Sequence, residues 1–273
     1  LRVESGGSLG DEIALIGALR AFREAFPSER IALTVRYPEV FERLEWLDGP
    51  EENGNVFRLR LGGDPTNREH LVTDYASQLG VNVYDLTPDI ELDENEIAYG
   101  AGLIDSLRGW GTERFVAVDT WAGWPSRRYA HWPEVFASLA AIAPGLGIIE
   151  VGKTVGDCDG QTRAGARLGS IAVDMVDKLT VRETASVIAA CDLYVGSDSG
   201  LAHLAAAVGT PQVVLYGPKP YWTRAYKTTF PVIPVAPCAC SAEHCAQGCV
   251  STISPFRIAS AITASTDSRS RRR

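Results

Sequence analysis

The stretch from Ala189 to Pro218 leaves few folds open to this chain. Leu193 to Val195 is a short apolar run, Ser197-Asp198-Ser199-Gly200 is a tight polar turn, and Leu201 to Val208 is an Ala/Leu helix closed by Gly209. Thr210-Pro211 stops that helix, and Gln212 to Tyr216 follows as a buried, β-rich run. Strand, turn, helix and strand in that order form the repeating unit of a parallel sheet. The turn lies beyond the carboxyl end of its strand, where open α/β sheets hold ligands. Asp198 and Ser199 sit where the helix begins, so unpaired N–H groups and the positive end of the dipole favour an anion such as a diphosphate. A plain helix cap by Ser199 or Asp198, with His203 as a satisfied polar residue on the first turn, is the competing explanation.

The same pattern opens the chain. Leu1 to Ser5 reads as a strand, Gly6-Gly7-Ser8-Leu9-Gly10-Asp11 as a glycine-rich turn, and Glu12 to Phe26 carries apolar residues at helical spacing until Pro27. Further strands are expected at Ile31 to Val35, Val56 to Leu61 and Phe115 to Asp119, and at Gly147 to Val151. Helices are expected at Pro38 to Leu47, Glu69 to Leu79, Glu94 to Leu107, Val135 to Ile142 and Ile253 to Ala264, with Gly100 and Gly102 weakening the third. Ile171 to Val173 reads as a short strand, and Thr180-Val181-Arg182-Glu183 is a capping box opening a helix through Ala190.

The string Ser197-Asp198-Ser199-Gly200-Leu201-Ala202-His203, with Gly209-Thr210-Pro211 and Leu215-Tyr216-Gly217-Pro218 behind it, resembles the Asp-Ser-Gly-x-x-His motif of the heptosyltransferases, glycosyltransferase family nine. The resemblance implies an α/β chain of GT-B fold, with two Rossmann-like domains facing across a cleft that holds an ADP-sugar. It divides the chain into residues 1–110, an acceptor domain; residues 111–253, a donor domain; and residues 254–273, a C-terminal helix that crosses back to the first domain and a disordered tail. It also implies that Asp11 is the general base, and that Asp198, Ser199, Gly200 and His203 hold the donor. Ahead of Trp132-Pro133 the family places a Ser or Thr and a basic residue on the donor phosphates. Ser126 fits the first role; Ala130 stands where the usual Lys would be, so the second moves to Arg127 or Arg128, either of which can fork two bonds onto a phosphate. Lys153, after the strand ending at Val151, falls at the same sheet edge as Asp198. Tyr221 or Trp222 has the chemistry to stack on a base, although loop aromatics more often pack on their neighbours.

Cys238, Cys240, Cys245 and Cys249 bunch near the end of the chain, a density that suits a thiolate-bound structural zinc or iron; two local disulfides or free thiols remain open. Catalysis itself calls for no cofactor, because helix dipoles and cations can replace a metal. The formal charge of −8 does not advertise nucleic-acid binding, and only the arginines at 269, 271, 272 and 273 offer a cationic contact. No apolar span is long enough for a membrane, and a cytoplasmic location is expected. The expected function is an inverting transfer of heptose or a similar sugar from an ADP-sugar to an acceptor hydroxyl. The alternatives are a different donor with a small-molecule, protein or nucleic-acid acceptor, and a nucleotide-sugar-binding protein without turnover.

Overall fold

A computed structural model describes residues 1–48, 56–63, 68–109, 112–123, 125–154, 168–217, 219–234 and 253–270. The first sheet has β1 (Arg2–Glu4) between β2 (Ala32–Thr34) and β3 (Val56–Arg58), all parallel. Helices α1 (Leu9–Ala25) and α2 (Leu71–Gln78) pack with it and with each other. The chain then passes through α3 (Glu94–Leu107) to a second, six-stranded parallel sheet. Its strands are β4 (Arg114–Asp119), β5 (Leu146–Glu150), β6 (Val173–Asp174), β7 (Leu193–Ser197), β8 (Gln212–Leu215) and β9 (Thr229–Val232), in the order β6-β5-β4-β7-β8-β9. Helices α4 (Trp132–Ile142), α5 (Val181–Ala190), α6 (Gly200–Ala207) and α7 (Pro255–Ser270) complete it.

Alternation along the second sheet explains why its strands read as unbroken apolar runs. Phe115 and Ala117 of β4 join one buried cluster with Tyr194 and Val214, while Val116 and Val118 join another with Val195 and Val213. Both faces are covered, so neither can be polar. The first cluster continues through α5 and α6 into α1 and α2, making one core shared by both sheets. The second holds α4 and α7, where Trp132 lies between the rings of Tyr129 and Phe136 with no exposed surface. The Trp-Pro pair is thus a packing element, fastened by a bond from the Tyr129 hydroxyl to the Ile253 carbonyl at 2.9 Å.

Several local expectations change. The helix expected at Pro38 to Leu47 is a single 3-10 turn, Pro38–Phe41, because Arg43 takes a left-handed φ of 64° that no helix continues through. Helix α1 starts at Leu9 rather than Glu12, since Ser8 is its N-cap and Asp11 already lies in the first turn. Helix α2 starts at Leu71, two residues late, where His70 Nδ1 accepts the Val72 N–H. The short strand is Val173–Asp174, preceded by a 3-10 turn. Helix α7 runs on to Ser270 instead of ending at Ala264, with no Gly or Pro after Pro255 to stop it, so the expected tail is helical over most of its length. It also stays with its own sheet, on α4, β7, β8 and β9. The halves are bridged instead by α3, which packs closely on α5, and by α1 against α6. Among the described residues no helix is long and apolar enough to cross a membrane.

Candidate active site

Two glycines let the starts of α1 and α6 touch. A Cβ on Gly10 would lie 2.7 Å from His203 Cδ2, and one on Gly200 would lie 3.0 Å from Leu9 Cβ. Both helix N-termini therefore open on one cleft of about 490 Å³ between the sheets. Asp11 and Arg36 line it from the first sheet; Asp119, Arg127, Lys153, Asp198, His203 and Arg224 line it from the second.

Asp11 is held from two directions. Its Oδ2 accepts the Ser8 backbone N–H at 3.0 Å and the Ser8 hydroxyl at 2.7 Å. Its Oδ1 accepts the Tyr75 hydroxyl at 2.9 Å and the Gly62 N–H at 3.3 Å. A carboxylate has about four lone-pair positions, and these donors occupy them. Tyr75 is completely buried; burial and the neighbouring Asp11 charge push its phenol far above the ordinary range, so it stays a donor.

Asp198 forms the opposite corner. Burial would raise its carboxyl, but the charges of Arg127 and Arg224 outweigh that and hold it below the usual carboxylate value. Arg127 Nη1 lies 3.3 Å from Asp198 Oδ2 and donates to its carbonyl at 3.2 Å, while Arg224 Nε is 3.9 Å from the same carboxylate. Beside them His203 Nδ1 is 2.6 Å from the Tyr226 hydroxyl. Burial lowers His203 to about 4, so its ring is neutral near pH 7.

The Ser199 hydroxyl makes no capping bond to α6; it donates instead to Asp119 Oδ2 at 3.0 Å. Asp119, at the carboxyl end of β4, also accepts the Trp121 N–H at 3.0 Å. The first turn of α6 is thus left without a side-chain cap where it meets the cleft, an arrangement suited to an anion. The plain-cap explanation of Ser199 does not hold.

A sequence model of glycosyltransferase family 9 (heptosyltransferase) matches residues 68–251. The chain belongs to glycosyltransferase family 9. Over 97 residues it is 31% identical to lipooligosaccharide heptosyltransferase 2 of Haemophilus influenzae, a match that spans 34% of this chain and 28% of that protein's length. Its fold is similar to that of the ADP-heptose lipopolysaccharide heptosyltransferase II of E. coli, with a TM-score of 0.70 at 16% identity, covering 98% of this chain and 99% of the other. It is also similar to TibC of enterotoxigenic E. coli H10407, described as an iron-containing dodecameric glycosyltransferase, with a TM-score of 0.76 at 16% identity, over 98% and 76% of the two chains. A second TibC structure holds ADP-D-beta-D-heptose. The two facing parallel sheets are accordingly the GT-B architecture expected from the motif.

In this family 9 chain the cleft gathers Asp11, Arg127, Lys153, Asp198, Ser199, Gly200 and His203. Two expected phosphate ligands are placed elsewhere. Ser126 is buried, with 1% of its surface exposed, and is not among the cleft-lining residues. Arg128 lies over the Trp121 ring, 3.9 Å from its centre, and donates to the carbonyls of Ala122 and Gly123, so its fork is directed into its own loop. Of the two arginines, Arg127 is the one in the cleft. Tyr221 and Trp222 pack edge-to-face on each other outside it. Cys238, Cys240, Cys245 and Cys249 lie outside the described residues; among those described, no group of His, Cys, Asp or Glu has a metal-binding arrangement.

Sequence reading passed over Asp119, Tyr75, Tyr226 and Arg224. Asp119 had a usable signal, since it ends a parallel strand at the ligand edge of the sheet. Tyr75 and Tyr226 had none, because an aromatic in a helix or loop looks the same whether or not its hydroxyl meets a partner.

Proposed function

We propose that this family 9 chain transfers a sugar, heptose or a close relative, from an ADP-sugar to an acceptor hydroxyl with inversion. The observation that carries the proposal is the meeting of Asp11 and the uncapped start of α6 in one cleft. In this reading residues 1–110 receive the acceptor and residues 111–253 hold the donor. The diphosphate sits on the Asp198-Ser199-Gly200 turn, with Arg127 and Lys153 as its cations. The acceptor oxygen attacks the anomeric carbon from the face opposite the diphosphate and bonds to it; the bond from that carbon to the diphosphate oxygen breaks, the diphosphate departs with the electron pair, and the acceptor proton goes to Asp11. The Ser8 hydroxyl, which can rotate off Asp11 Oδ2, is the donor an acceptor hydroxyl displaces. Fixed donors aimed at the departing charge supply most of the acceleration. A cytoplasmic location fits a nucleotide-sugar donor, and fractionation tests it.

Mass spectrometry of products from a panel of nucleotide sugars tests the donor. ADP-heptose turnover is expected, and Asp11→Asn is expected to lower it by ~10²- to 10⁴-fold, the usual contribution of a general base. Equal rates would remove Asp11 from the mechanism. The full occupation of Asp11 by internal donors favours one second reading, a nucleotide-sugar-binding protein without turnover; ADP-sugar binding with no hydrolysis or transfer across the panel would establish it.

The cysteine cluster is proposed to bind a structural zinc or iron. Four thiols between residues 238 and 249 form a donor set suited to either metal. Elemental analysis of anaerobically purified protein is expected to find about one equivalent; none would end the proposal.

A further inference from the structure

Arg224 crosses the cleft. From the loop between β8 and β9 its Nη2 donates to the Gly62 carbonyl of the first lobe at 2.9 Å, while its Nε stays 3.9 Å from Asp198 Oδ2. Its Nη1 is steadied by the Thr223 hydroxyl at 3.2 Å, and only 8% of the residue is exposed. Gly62 has a φ of +85°, a conformation that favours glycine. Its carbonyl meets Arg224, while its N–H reaches Asp11 Oδ1 and the Tyr75 hydroxyl, both at 3.3 Å. The Tyr75 hydroxyl in turn donates to Asp11. An ion pair at 3.9 Å followed by a short chain of hydrogen bonds therefore runs from the carboxylate at the start of α6 to the carboxylate at the start of α1.

We propose that Arg224 is a positioning residue that couples the donor corner at Asp198 to Asp11 through the Gly62 peptide. With the lobes together, Arg224 fixes the loop of residues 59–63, and the Gly62 N–H and Tyr75 hydroxyl hold Asp11 in one orientation. Without the tie, the loop no longer holds Asp11, and the carboxylate loses its aim at the acceptor hydroxyl. The catalytic part of this inference rests on Asp11 as the base; the mechanical part does not.

Two measurements on the full chain separate the two parts. Hydrogen exchange of the peptide containing residues 59–63 is expected to speed up in Arg224→Ala relative to wild type, with Arg224→Lys intermediate because an ammonium can keep one bond to the carbonyl. Exchange unchanged at that peptide overturns the proposal. With ADP-heptose as donor, Arg224→Ala is expected to lower kcat by ~10²-fold, the usual cost of a small misplacement of a reacting group, with a much smaller change in KM. A loss confined to KM would make Arg224 a donor ligand only and overturn the proposal. Combined with Tyr75→Phe, the double variant is expected to be no more than ~2-fold slower than the worse single variant, since residues of one network are not additive. Additive losses overturn it. If wild type turns over no nucleotide sugar, the transferase reading fails, and the exchange comparison alone decides the Arg224 tie.

Discussion

Replacing Gly100 and Gly102 of α3 by alanine, one at a time, should move stability in opposite directions. Helix propensity treats the two alike: Gly→Ala inside a helix gains ~1 kcal/mol. At Gly102 a new Cβ meets nothing within 4 Å, so the full gain is expected. At Gly100 it would lie 2.3 Å from the Ser186 carbonyl oxygen and 2.7 Å from the Ser186 carbonyl carbon. Those are backbone atoms of α5 and cannot swing aside, so the helices must separate at an overpacking cost of ~1–3 kcal/mol. Separation also breaks the bond from the Gly100 N–H to the Ser186 hydroxyl, 3.0 Å long, at a further ~1 kcal/mol. Subtracting the propensity gain leaves Gly100→Ala destabilised by ~1–3 kcal/mol, against a stabilisation of ~1 kcal/mol for Gly102→Ala. Urea denaturation followed by circular dichroism reads both as shifts of the midpoint at constant slope. If both variants shift upward together, α3 does not pack on α5 as described, and that bridge between the halves is misplaced.

Further outcomes follow from buried charge. His70 and His203 are both lowered to about 4, each chiefly by burial. Between pH 6.5 and 4 the unfolded chain binds more protons at these sites than the folded chain, so stability should fall as pH drops through that window. His70→Asn keeps an acceptor at the start of α2 while removing one titration, and should flatten the urea-midpoint profile between those limits. Arg182 of α5 donates to Glu96 and to the carbonyls of Glu39 and Glu91, and its pairing lowers Glu96 to about 2. Arg182→Ala should cost ~3 kcal/mol by chemical denaturation, with Lys recovering only part because it lacks the planar fork; a loss within experimental error would mean that Arg182 is not what ties α5 to the first lobe.

The site was legible where chemistry and local structure coincide in a short stretch. Ser197 to His203 showed its strand end, turn and helix start in the order of its residues, and Asp11 followed from the same pattern. Arg127 and Arg128 are adjacent and chemically identical, so nothing in the sequence separates them. The separation comes from the Trp121 face and two loop carbonyls, which engage Arg128, while Arg127 reaches Asp198. Nothing in the sequence marks Arg224 as a partner of Gly62, which lies 162 positions away.

Apolar runs, glycine corners and the Thr180–Glu183 capping box were enough to establish parallel sheets and the position of α5, because backbone bonding and side-chain periodicity act over a few residues. Which helices bridge the halves, which arginine enters the cleft and how many donors surround Asp11 were decided only when distant segments met. Those outcomes depend on distances between atoms far apart in the chain, and packing sets them through steric contact and burial rather than through local preference.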